Sequence, residues 1–101
     1  MFLIQLLLPL HDNDKQAFRA ELFDSVRHEL VDRFRGVTAF VRSPATGLWK
    51  ESEEINRDEV VMFEVLAETL DTEWWATYRR KLEDQFQQEE VLIWATRIER
   101  L

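Results

Sequence analysis

The sequence predicts an α+β fold with element order β-α-β-β-α-β, in which four antiparallel strands carry two helices on one face. Three observations predict it. The chain opens on residues 2–8, apolar at every position but Gln5, as expected of a central strand covered on both sides. Two stripes of apolar residues, from Phe18 to Phe34 and from Trp75 to Phe86, recur at three- and four-residue spacing, the period of an amphipathic helix. Three further runs, 37–42, 60–67 and 91–98, are rich in β-branched and aromatic residues and read as strands. Two β-α-β crossovers joined by a hairpin give the sheet order 4-1-3-2, with both helices on the same side.

Taken in order, the first strand ends at Pro9, which has no N–H for a ladder. Asn13 with Gln16 three positions on fits a capping box, and Asp14 complements the dipole of a first turn. A helix is therefore expected from there, with Phe18, Leu22, Val26, Leu30 and Phe34 on its apolar face, joined by Ala17, Phe23 and Val31, about six turns in all. Gly36 stands where a left-handed C-cap would end it. After the strand Val37–Arg42, residues 43–47 form a turn or loop, 48–50 resume a short arm and 51–58 make an acidic connector. Val60–Ala67 follows as the third strand. Asp71 or Thr72 caps a second helix, whose buried face is Trp75, Tyr78, Leu82 and Phe86. Val91–Ile98 closes the sheet. The whole of 1–101 reads as one such domain.

Composition narrows the function classes. A 101-residue chain with 46% hydrophobic content has the material for one core. Its net charge of −7 opposes binding to a phosphate backbone, so nucleic acid is not an expected partner. The basic run Arg79-Arg80-Lys81 is followed by Glu83 and Asp84 at helical pairing distance; it reads as a solvated helix face. With no cysteine, disulfides, thiolate metal sites and thiol catalysis are absent. The apolar run at the start lacks the basic flank and cleavage site of a signal peptide and is too short to span a bilayer. No membrane partner and a cytoplasmic location are the expectation.

Strand alternation divides the sheet between its faces. Phe2, Ile4, Leu6, Val37, Ala39, Val41, Val61, Phe63, Val65, Val91, Ile93 and Ala95 face the helices. The other face carries Leu3, Gln5, Leu7, Thr38, Phe40, Arg42, Met62, Glu64, Leu66, Leu92, Trp94 and Thr96, which is too apolar to be left in water. Pairing of two such faces would make a homodimer. Gln5, Thr38, Arg42, Glu64, Trp94 and Thr96 then either satisfy one another, with a Glu64–Arg42 ion pair, or form the polar floor of a small-molecule cavity. In the second case Glu64 is a candidate general base. Trp49, on the arm beyond Gly47, is read as an interface anchor or part of the binding surface. Trp74 diverges by about 100° from Trp75 on the helix and packs on a loop or walls a pocket mouth.

Other constellations are weaker. His11, with Asp12 and Asp14, offers an imidazole and two carboxylates at the end of the first strand and is a second candidate base. The same residues serve as a loop with caps, and there is no second histidine nearby for a metal. His28 is four residues after Asp24 and is expected to hydrogen-bond to it. Glu51, Glu53, Glu54, Asp58 and Glu59 lack calcium-loop spacing. No phosphate loop, nucleophile elbow or zinc-helix motif occurs, and no metal or cofactor is implied.

By element order over the whole chain, the sequence resembles the ferredoxin-like dimeric α+β barrel proteins. That superfamily includes haem-degrading and quinone-forming monooxygenases and lactone isomerases. Its haem-binding members carry a histidine on the second helix, whereas residues 73–87 contain none. A closer likeness, to small bacterial proteins of unassigned function, lies in Phe34, Gly36-Val37-Thr38, Gly47-Leu48-Trp49, Phe86-Gln87 and Val91-Leu92. That likeness implies the fold and no activity; from the apolar open face, the leading expectation is a homodimer whose shared sheet face binds a small apolar or aromatic molecule. A cofactor-independent monooxygenase or isomerase, and a protein-interaction module, are the alternatives.

Overall fold

A computed structural model describes residues 1–42 and 59–101, with the backbone alone over 39–42. The expected loop at 43–47, arm at 48–50, acidic connector at 51–58 and Trp49 lie outside the described residues. Six elements follow the expected order: β1 (Phe2–Pro9), α1 (Ala20–Arg33), β2 (Gly36–Arg42), β3 (Val60–Ala67), α2 (Thr72–Gln85) and β4 (Leu92–Arg97). They form one antiparallel sheet in the order β2-β3-β1-β4, which is the 4-1-3-2 arrangement of the ferredoxin-like fold.

β1 pairs along its length with β3, from Phe2 opposite Ala67 to Pro9 opposite Val60, and on its other side with β4. The ladder extends past Pro9 because the Leu10 N–H donates to the Glu59 carbonyl at 3.0 Å. Alternate residues of these central strands, Ile4, Leu6, Leu8, Val61, Phe63 and Val65, are buried in one cluster with Val26 and Leu30 of α1 and with Trp75, Tyr78 and Leu82 of α2. Both helices thus cover the face that alternation assigned to them. Burying each large apolar side chain contributes about 1.5–3 kcal/mol, so this cluster dominates the stability. Ala95, expected on that face, is exposed because it sits on an edge strand. Val31 is also exposed, at 54%.

The start of α1 differs from expectation. The helix begins at Ala20, and its N-cap, Arg19, makes no side-chain cap bond. In place of a capping box, the Asp12 carboxylate accepts from the N–H groups of Asp14 and Gln16, both at 2.9 Å. Lys15 takes a left-handed φ of 62°. His11 bridges Ala17, and the Phe18 N–H donates to the Leu10 carbonyl. A local side chain competing for backbone donors holds residues 10–18 as a closed loop. Phe18 still reaches the core, where its ring lies 5.1 Å from that of Phe86 and 6.5 Å from that of Phe23.

Both helix ends also depart from the glycine rule. α1 ends on Phe34 in extended conformation, its N–H donating to Leu30, and Gly36 is already the first residue of β2. α2 ends with Gln87 at φ 50°, while the Gln88 N–H donates to the Glu83 carbonyl at 2.9 Å, a left-handed cap built without glycine. At its start Asp71 accepts from the Trp74 N–H at 3.1 Å, as expected. On the surface, Arg79 meets Glu83 at 3.8 Å, but Arg80 makes no ion pair with Asp84. Asp24 takes Arg27 rather than His28.

Tyr78 is 5% exposed, and its hydroxyl has no hydrogen-bond partner among the described residues. Burial first, and the Glu29 carboxylate second, push its phenol well above the ordinary tyrosine range. The unfolded chain therefore releases this proton first. Stability from this group is intact below about pH 10 and is lost as pH rises beyond it, by up to 1.4 kcal/mol per pH unit. Urea unfolding of wild type and Tyr78→Phe across this range should show the variant lacking that alkaline loss and no less stable at neutral pH. A second expectation concerns the loop: Asp12→Ala costs about 1 kcal/mol, whereas Asn13→Ala stays within about 0.5 kcal/mol, by the same unfolding measurement.

Candidate functional site

The helix-free face is organised in cross-strand rows. Register sets Gln5 of β1 opposite Glu64 of β3 and, on its other side, opposite Trp94 of β4; Thr38 of β2 stands opposite Glu64. The four residues Thr38, Glu64, Gln5 and Trp94 therefore make one row across the whole sheet. At its centre the Gln5 Nε2 donates to the Glu64 Oε2 at 2.7 Å and approaches the Met62 sulfur at 3.5 Å. Gln5, Glu64 and Trp94 are half-buried, while Thr38 is exposed.

Apolar rows flank this polar one. On one side Leu3 pairs with Leu66, and their outer neighbours are Thr96 and Gly36; on the other, Leu7 pairs with Met62 and Leu92. Leu66 and Leu92 are 44% and 52% exposed. Met62, by contrast, is 3% exposed on a face that no helix among the described residues covers. A strip with a carboxylate and an amide between two greasy borders can offer hydrogen bonds to the edge of a flat molecule and apolar contact to its faces.

Of the residues singled out from sequence, the register thus unites Gln5, Thr38, Glu64 and Trp94, with Thr96 one row away. Arg42 does not join them: its backbone stands opposite Val60, four positions from Thr38, roughly 13 Å along the strand. The described partner of Glu64 is Gln5, and the Arg42 side chain lies outside the described residues. His11 is exposed in the loop beyond β1, roughly 20 Å along the chain from Gln5 of the polar row, so the two candidate bases do not act together. Among the described residues no group of three or more histidine or acidic side chains converges as a metal site, and no helix is long and apolar enough to cross a membrane.

Two features escaped the sequence reading. Trp74 stacks on Tyr78 at 4.9 Å and carries the Arg33 guanidinium over its ring at 4.4 Å. A cleft of about 980 Å³ opens beside it, between the end of α1 and the end of β3. Its residues come from five separate stretches of chain, so no local motif marks it.

No family model matches the chain. No curated protein matches it in sequence. Among solved structures it is similar to a phage SAM lyase in complex with S-methyl-5'-thioadenosine, with a TM-score of 0.60 over 94% of this chain and 79% of that one, at 16% identity. At that identity the likeness shows a shared fold.

The Gln5–Glu64 bond is open to a direct check. Removing the amide in Gln5→Leu leaves a half-buried carboxylate without its donor and costs about 1 kcal/mol, while Glu64→Gln, which keeps an acceptor opposite Gln5, stays within about 0.5 kcal/mol. Paired denaturation curves measure the difference.

Proposed function

We propose that the helix-free sheet face binds a small aromatic molecule within a homodimer formed through that face. The observation that carries this reading is the row Thr38, Glu64, Gln5 and Trp94 set between apolar rows. Water would solvate Gln5 and Glu64 better than it solvates Leu66 and Leu92, so the face gains most from a partner that covers the leucines and still meets the polar pair. A second copy supplies the cover, since two such sheets stack about 10 Å apart, and a flat ligand fills the space over the polar row.

The ligand class that fits is a neutral heteroaromatic ring with hydroxyl or amino groups at its edge. Glu64 accepts from such groups, and the acidic chain disfavours a phosphorylated ligand on this face. S-methyl-5'-thioadenosine, named with the structural neighbour, has these properties and an apolar methylthio tail, which makes it the first probe. The neighbour's activity motivates a second reading on the same face, a lyase acting on S-adenosylmethionine with Glu64 as base.

Sedimentation velocity at micromolar concentration should show a dimer that Leu66→Glu with Leu92→Glu converts to monomer. Calorimetric titration with S-methyl-5'-thioadenosine should saturate, with affinity reduced about tenfold in Glu64→Ala. A monomeric wild type that does not bind the probe overturns the proposal. Product formation from S-adenosylmethionine that Glu64→Gln abolishes would establish the lyase reading instead.

A further inference from the structure

We propose that the cleft between the end of α1 and the end of β3 is a separate binding site for a small organic oxyanion, a carboxylate or phosphate monoester on a ring-bearing body. Its charge balance singles it out. In a chain with 20 acidic and 13 basic residues, the cleft is lined by three arginines, Arg33, Arg35 and Arg100, against the two carboxylates of Glu68 and Asp71. None of the row Thr38, Glu64, Gln5 and Trp94 lines it.

One carboxylate offsets Arg33, and the other, Glu68, pairs with neither Arg35 nor Arg100 among the described residues. Asp71 is committed to its helix: one oxygen accepts from the Trp74 N–H at 3.1 Å and the other meets Arg33 at 3.4 Å. Arg33 is held further by its seat over the Trp74 ring, a cation–π contact that fixes the guanidinium plane. Arg35 and Arg100 are exposed and make no ion pair among the described residues. Other surface cations are matched with acids, as in Arg27–Asp24, Arg79–Glu83 and Lys81–Glu29, or stand singly, as Lys15 and Arg80 do among the described residues. Two unmatched guanidiniums at one concavity are therefore set apart, and the planar fork of arginine is suited to bidentate contact with carboxylate or phosphate.

Apart from Thr69, the other lining side chains are apolar. The Phe34 and Trp75 rings, both at the cleft, stack at 5.3 Å with 17° between their planes, and Leu66 forms part of the wall. Rings and aliphatic carbon lining the same concavity as guanidiniums match a ligand with a flat apolar body and one anionic group. The volume is that of a site for a small molecule. A polyanion is disfavoured by the net charge of −7, whereas a single oxyanion meets only the local field.

The test is an NMR chemical-shift titration of the full chain with phenyl phosphate, benzoate and, as the uncharged control, benzyl alcohol. Saturable shifts at the cleft residues are expected with at least one of the two anions and not with the alcohol. Saturation by phenyl phosphate alone assigns a phosphate monoester, by benzoate alone a carboxylate, and by both a general oxyanion site. Arg35→Gln with Arg100→Gln should weaken binding at least about tenfold, and Glu68→Gln should tighten it; all three positions are exposed, so the variants keep the core. Binding that does not saturate, that the alcohol matches, or that the double variant retains in full overturns the proposal.

Discussion

Everything else in the molecule hangs on the antiparallel pairing of β1 with β3. These two strands occupy the middle of the sheet, and their eight-residue register runs without a bulge from Phe2–Ala67 to Pro9–Val60. Because side chains alternate, this one register decides two things together. It sends Ile4, Leu6, Leu8, Val61, Phe63 and Val65 to the helices, and it sends Gln5 and Glu64 to the opposite face as direct neighbours. A slip of one residue would bury the amide and the carboxylate in an aliphatic core and strand the leucines in water. Stability and the candidate site are consequences of the same constraint.

The helices are fitted to that frame by different means. α2 is tied at both ends: Asp71 caps its start, and Glu83 near its end accepts from the Val91 N–H at 3.0 Å, which joins it to the entry of β4. α1 has no side-chain cap and relies on packing, with Val26 and Leu30 fully buried and Phe18 and Phe23 gathered around Phe86. Helix stability drawn from an apolar face rather than from caps is ordinary for a helix of this length. The loop before α1 is consequently free to be organised by Asp12.

The two proposed surfaces differ in their physics. The sheet face is a broad, mostly apolar area with a narrow polar centre, suited to cover by a large surface. The cleft is concave and locally cationic. They meet at Leu66 and Gly36, which stand opposite each other on the sheet and both line the cleft.

Most of the fold was legible in the sequence, because the features that specify it are local and periodic. The run at residues 2–8, the stripe Trp75, Tyr78, Leu82 and Phe86, and the cap at Asp71 each carry their own signature within a few residues, and the strand order follows from short connections. Alternation also placed Gln5, Thr38, Glu64 and Trp94 on one face. Tertiary structure decided what depends on competition or on distant chain segments. Asn13 and Gln16 spell a capping box, yet Asp12 captures the backbone donors first, and no spacing rule weighs those rivals. Which carboxylate partner an amide finds is settled by register: Gln5, 59 residues from Glu64, reaches it, while Arg42 stands at the far end of its strand. The arginine cleft lies furthest from the sequence's reach, since Arg33, Arg35 and Arg100 converge only when the chain's last residues return to the end of the first helix.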